Sequence, residues 1–123
     1  MIKIGFYTEG GAELGHGHIM RCLTLVKRFS DVRFKLKKET TTYIVEHIVR
    51  SRGFRVVNSL EGVDGVIRDL AGGARDEDAF QGKVVIDIAD EAHEVHKDAD
   101  FGFSFMGEAR DDTRFSGFDY AVL

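Results

Sequence analysis

An apolar run, Ile2 to Tyr7, gives way to four glycines within eight residues (Gly10, Gly11, Gly15 and Gly17) and then to an amphipathic run from Ile19 to Phe29. No other feature constrains the fold as much. The order reads as a strand, a glycine-rich turn and a helix opening near His18. Glycine gives such a turn backbone freedom and lets a ligand approach the main chain closely. The helix start directs unpaired N–H groups and the positive end of its dipole into the turn, which suits a phosphate or carboxylate. His16, His18 and Arg21 stand at the same place.

Two phosphate patterns are approached and not completed. Gly10 to Gly15 has Walker A spacing, but His16 and Gly17 occupy the positions of Lys and Ser or Thr. Gly15-His16-Gly17 opens a dinucleotide fingerprint, with Met20 where its third glycine belongs.

The rest of the chain alternates strand and helix signals. Ile19, Cys22, Leu23, Leu25, Val26 and Phe29 share one helical face, and Ser30-Asp31 ends that helix. Val32 to Lys37 alternates strictly, which predicts an antiparallel or edge-like strand with one solvated face. Thr40 to Thr42 caps a second helix with apolar positions Tyr43, Ile44, His47 and Ile48. Gly53 closes it. Further strands are expected at 54–57, 64–69, 83–88 and 101–105, and a short helix at 75–80. Residues 90–96 read as helix or loop. The tail from Gly107 is polar until Tyr120-Ala121-Val122-Leu123. The expected class is α/β: a Rossmann-like, largely parallel sheet flanked by helices, in one domain over 1–123. Ligands of such sheets bind outside the carboxyl ends of the strands, which places the 8–18 loop, Asp69 and Asp87 at one edge.

A net charge of −4 disfavours a general nucleic-acid or anionic-membrane role. No apolar run approaches a membrane span, and no N-terminal stretch reads as a signal peptide. Cys22, the single cysteine, excludes an internal disulfide and fits a cytoplasmic setting. His16, His18, His93 and His96 include pairs at ligand-like spacing, but no complete zinc motif, so no metal is expected.

His18 is the candidate catalytic residue. In the first turn of a helix, the dipole disfavours its positive charge, so a lowered pKa and a neutral imidazole are expected, as a general base near pH 7 requires. The structural alternative is a capping or exposed histidine. Arg21 is a candidate for substrate phosphate or hydroxyl binding, or else forms an ion pair with Glu9 or Glu13. Asp69 and Asp87 are placed to orient a sugar or His18, or to cap the segments that follow. Met20 and Cys22 read as packing residues.

The fuller string Gly15-x-Gly17-His18-x-Met20-Arg21-Cys22-Leu23 resembles the signature of the nucleotide-sugar hydrolases of pseudaminic acid biosynthesis. It is similar to that of the spore-coat polysaccharide glycosyltransferases. Both belong to the wider GT-B group. The resemblance extends through Val84-Val85-Ile86-Asp87 and Gly117 to Leu123, the latter like the segment that closes the family's N-terminal domain. It implies that the chain corresponds to the N-terminal half of a GT-B fold, with His18 as base and Gly15, Gly17, Arg21, Asp69 and Asp87 toward the substrate. It also implies a nucleotide-sugar partner, no cofactor, and a C-terminal nucleotide-binding domain in cis or on another chain. The implied reaction is UDP-sugar hydrolysis at the anomeric carbon with inversion, in surface-glycan or nonulosonic acid biosynthesis. The rival readings are transfer of the sugar to an acceptor hydroxyl, and a non-catalytic Rossmann-like domain that binds an anion or a partner.

Overall fold

The computed structural model describes residues 2–11, 15–90, 92–104 and 119–122. Its strands are β1 (Lys3–Thr8), β2 (Asp31–Leu36), β3 (Arg55–Val56), β4 (Gly65–Asp69), β5 (Val84–Ala89), β6 (Phe101–Ser104) and β7 (Asp119–Val122). They form one seven-stranded sheet in the order β3-β2-β1-β4-β5-β6-β7. Every pairing is parallel. This is a Rossmann-like α/β sheet whose strand order reverses direction between β1 and β4. Phe105 and the polar tail to Phe118 lie outside the described residues.

Helices α1 (Gly17–Leu25) and α2 (Tyr43–Ser51) connect β1 to β2 and β2 to β3. Both cover one face of the sheet. There Phe6, Ile19, Cys22, Val26, Phe34 and Val49 form the larger core. Phe6 stacks on Phe34 with ring centroids 5.3 Å apart. Each such buried ring contributes roughly 1.5–3 kcal/mol relative to exposure. Among the described residues, the connections after β4 and β5 run over the opposite face with only 3-10 turns, Asp76–Asp78 and Ala92–Glu94. A smaller core of Tyr7, Leu60, Val63, Val66 and Leu70 lies on that second face. The β3–β4 connection crosses it tightly: a Cβ on Gly5 would stand 2.7 Å from a Leu60 methyl.

Three expectations need correction. β2 is neither antiparallel nor an edge strand; it pairs in parallel with β1 and β3. Its alternation has another cause: Phe34 and Leu36 face the helices, whereas Arg33 and Lys35 face the thinly covered side and stay half-buried. In α2 the buried positions are Val45 and Val49, while Tyr43 is 83% and Ile44 53% exposed. The helix has apolar residues on more than one side, and docking on the sheet selects Val45, Ile48 and Val49. The amphipathic run to Phe29 also divides: α1 stops at Leu25 and Val26–Arg28 continues as a 3-10 turn. Among the described residues, no helix is long and apolar enough to cross a membrane.

Candidate functional site

The loop after β1 is pinned before it reaches α1. The Thr42 amide donates to the Gly10 carbonyl at 3.1 Å. A Cβ on Gly11 would meet the Thr40 carbonyl at 3.0 Å. Gly11 and Gly15 then exchange two backbone hydrogen bonds, of 3.1 and 2.7 Å, which return the chain to the sheet edge. Gly15 has φ +73°, a left-handed conformation that glycine adopts without strain. Gly17 is the first residue of α1, with open space where a side chain would stand. Gly15 and Gly17 therefore leave main chain accessible at the mouth of the crevice between β1 and β4.

Asp69 ends β4 directly across this crevice and is fully buried. The Thr8 hydroxyl donates to its carbonyl at 2.8 Å, tying the ends of β1 and β4 together. Its carboxylate meets His18 and Arg21, both from the first turns of α1. Nδ1 of His18 lies 2.6 Å from Oδ1. Nε of Arg21 donates to Oδ2 at 2.7 Å and Nη2 donates to Oδ1 at 2.5 Å. Nη1 of Arg21 donates to Asp90, just after β5. Three strand ends thus converge on one turn of helix.

The carboxylate settles the histidine tautomer. Oδ1 of Asp69 only accepts, so Nδ1 of His18 carries the proton and donates. The Nη2 of Arg21, 3.0 Å from the same nitrogen, is a second donor drawn in by the shared carboxylate. Nε2 is left with its lone pair, and among the described residues nothing bonds to it. The side chain is 12% exposed, enough for one edge of the ring to meet a ligand. The hydrogen bond to Asp69 raises the His18 pKa above the ordinary value of 6.5, against the opposing effects of burial and Arg21. The lowered pKa expected from the helix dipole is therefore reversed: a charge-assisted hydrogen bond outweighs a dipole that acts over one turn.

Asp87 does not join this cluster. It pairs in register with Arg68, and the pleat directs both to the second face, away from Asp69. Arg68 is 1% exposed and donates through Nε and Nη2 to the two Asp87 oxygens at 2.6 and 2.9 Å. Nη1 donates to the Asp78 carbonyl at 2.8 Å, and Nη2 to Oδ1 of Asp98 at 2.6 Å. Asp98 and Asp76 also hold His96 at 2.6 and 2.9 Å. Asp87 thus anchors a buried ionic clamp on the face opposite His18.

Arg21 pairs with Asp69 and Asp90, and Glu9 has other partners. The buried Glu9 carboxylate accepts from the Ala71 amide at 2.7 Å and from the Thr40 hydroxyl. It bridges the loops after β4 and β2. Glu13 lies outside the described residues. Cys22 is buried in the core, and burial pushes its thiol pKa up. Sequence reasoning missed Asp90, the loop-bridging role of Glu9 and the Arg68 clamp. Signals existed: Asp90 follows a strand end as Asp69 completes one, and an arginine inside Gly65-Val66-Ile67-Arg68-Asp69 needs a buried partner.

No family model matches the chain, and no curated protein matches it in sequence.

Proposed function

We propose that this domain supplies the catalytic base of a nucleotide-sugar hydrolase. One observation carries the reading: a buried aspartate holds Nδ1 of His18 and leaves Nε2 without a partner among the described residues, on a side chain that is 12% exposed. In hydrolysis, Nε2 takes a proton from water as its oxygen bonds to the anomeric carbon. The bond from that carbon to the diphosphate oxygen breaks, the nucleoside diphosphate departs, and the centre inverts. Asp69 stabilises the imidazolium formed in this step, as the aspartate of a catalytic triad does. Arg21, fixed by two acids, holds Asp69 in place and stands beside the accessible main chain of Gly15 and Gly17. The main-chain amides at the start of α1 suit an anionic group of the substrate.

NMR-monitored turnover of UDP-sugars by wild type and His18→Ala tests the proposal. The expected results are an inverted anomer from wild type and a fall in turnover of about 10²–10⁴ for the variant, with KM little changed. Near-normal turnover by His18→Ala overturns the assignment of the base. If His16→Ala is equally silent, the loop is a binding element, as in the non-catalytic reading. Capture of the sugar by an added alcohol in preference to water identifies the transferase instead.

A further inference from the structure

The second face of the sheet, opposite His18, carries a groove that the hydrolase reading does not use. At the carboxyl ends of β1, β2 and β4 a cavity of about 590 Å³ opens beside Tyr7 and Glu9. It shares Tyr7, Lys37 and Glu39 with a neighbouring cavity of about 260 Å³. Together they reach the size of an ordinary small-molecule site.

The two ends differ in chemistry. The smaller is walled by Lys35, Lys38 and Asn58, with Lys37 and Glu39 on the boundary between the two, where Lys37 Nζ donates to Asp78 at 3.4 Å. Lys35 is held in place, its Nζ 5.1 Å from the Tyr7 ring centroid and 5.9 Å from that of Phe80. The larger end presents the carboxylates of Glu9, Glu77 and Asp78, with Arg75 among them. Several are preset. Glu9 is fixed by Ala71 and Thr40. Asp78 accepts from the Tyr7 hydroxyl at 2.8 Å and the Arg75 amide at 2.9 Å.

We infer that this groove binds a sugar phosphate. The Lys35 and Lys38 ammonium groups suit a phosphate dianion, whose oxygens accept charge-assisted hydrogen bonds, while Lys37 is held by Asp78. The carboxylates suit a body rich in hydroxyl donors. A nucleobase fits less well, because the Tyr7 ring is buried, with Phe80 edge-on to it and Lys35 over its ring. The inference does not rest on the hydrolase reading, since neither His18 nor Asp69 lines the groove.

The test is an amide NMR titration of the chain with glucose 6-phosphate, with glucose and inorganic phosphate in parallel. The expected shifts centre on residues 35–39 and 73–78. Glucose 6-phosphate should bind at least about tenfold more tightly than either fragment. Lys35→Met/Lys38→Met, with folding verified by circular dichroism, should weaken it by about tenfold or more. His18→Ala should leave it unchanged. Equal binding of inorganic phosphate, shifts centred on residues 15–21, or full affinity in the folded double variant would each overturn the proposal. So would an absence of shifts at about 10 mM ligand, weaker than the millimolar affinity that corresponds to about −4 kcal/mol.

Discussion

Arg68 and Asp69 are consecutive in β4 yet point to opposite faces of the sheet, and each anchors its own ionic cluster. Arg68 clamps Asp87 and Asp98 under the thinly covered face. Asp69 holds His18 and Arg21 beneath α1. One short strand therefore separates a structural clamp from a candidate catalytic pair.

The first prediction concerns pH. Because Asp69 raises the His18 pKa, the acid limb of kcat/KM should lie above the ordinary value of 6.5. Asp69→Asn removes the raising interaction, so the limb should move to lower pH. The plateau should fall by roughly 10²–10⁴, since the tautomer is no longer held. Rate profiles, with an NMR titration of the His18 ring, check both shifts. A limb that stays in place in Asp69→Asn argues against the pair.

Removing one partner of the clamp should be severe. Arg68→Met strands the buried Asp87 charge and should destabilise the chain by about 3–5 kcal/mol. That is a large share of the roughly 5–15 kcal/mol typical of a whole domain. Arg68→Met/Asp87→Leu removes both charges and should recover part of the loss. Urea unfolding of wild type and both variants measures the differences, and wild-type stability in Arg68→Met would mean the clamp matters little.

Acid should weaken the second face. Burial pushes the Asp98 carboxyl up, but Arg68 and His96 bring it below 3.8 overall. Asp78 is likewise lowered: burial opposes, while the Arg75 amide, Tyr7 and Lys37 prevail. A carboxyl with a lowered folded pKa stabilises above its unfolded value and loses that contribution as pH falls through the folded one. The melting temperature should therefore drop as pH goes below about 3.8. Tyr7→Phe should reduce this acid dependence and cost about 1 kcal/mol at neutral pH. His18 has the opposite sign: its contribution is complete below 6.5 and fades as pH rises through its raised value. Melting curves across pH, with His18→Ala as reference, separate the two effects.

Two glycines should respond in opposite ways to alanine. Gly17→Ala meets nothing within 4 Å and should be neutral or stabilising by up to about 1 kcal/mol. If a ligand approaches the main chain there, activity should fall without loss of stability. Gly73 has φ +90°, and a Cβ would stand 2.2 Å from the Glu94 carbonyl oxygen. Gly73→Ala should destabilise strongly, because backbone cannot yield as a flexible side chain can. Thermal melts and activity of both variants check this contrast.

Local pattern alone determined much of this protein. The apolar run, the glycine turn and the amphipathic run mark β1, its loop and α1. Alternation of strands and helices indicates a parallel α/β sheet, whose strand ends hold the ligand-facing residues. These features follow from spacing within one element, so they are legible in the chain. Partners across elements are not. Asp69 and Asp87 look alike, each near the end of a strand, but the register of β4 with β5 and the pleat send them to opposite faces. The two apolar sides of α2 look equally eligible until the sheet accepts Val45 and Val49. The alternation in β2 reflects how thinly its second face is covered, which neighbouring residues cannot reveal. Even the His18 pKa reverses direction, because a buried carboxylate 51 residues away outweighs the helix dipole. Tertiary structure decided these points, since hydrogen bonds and charge pairs depend on distances that only the folded chain sets.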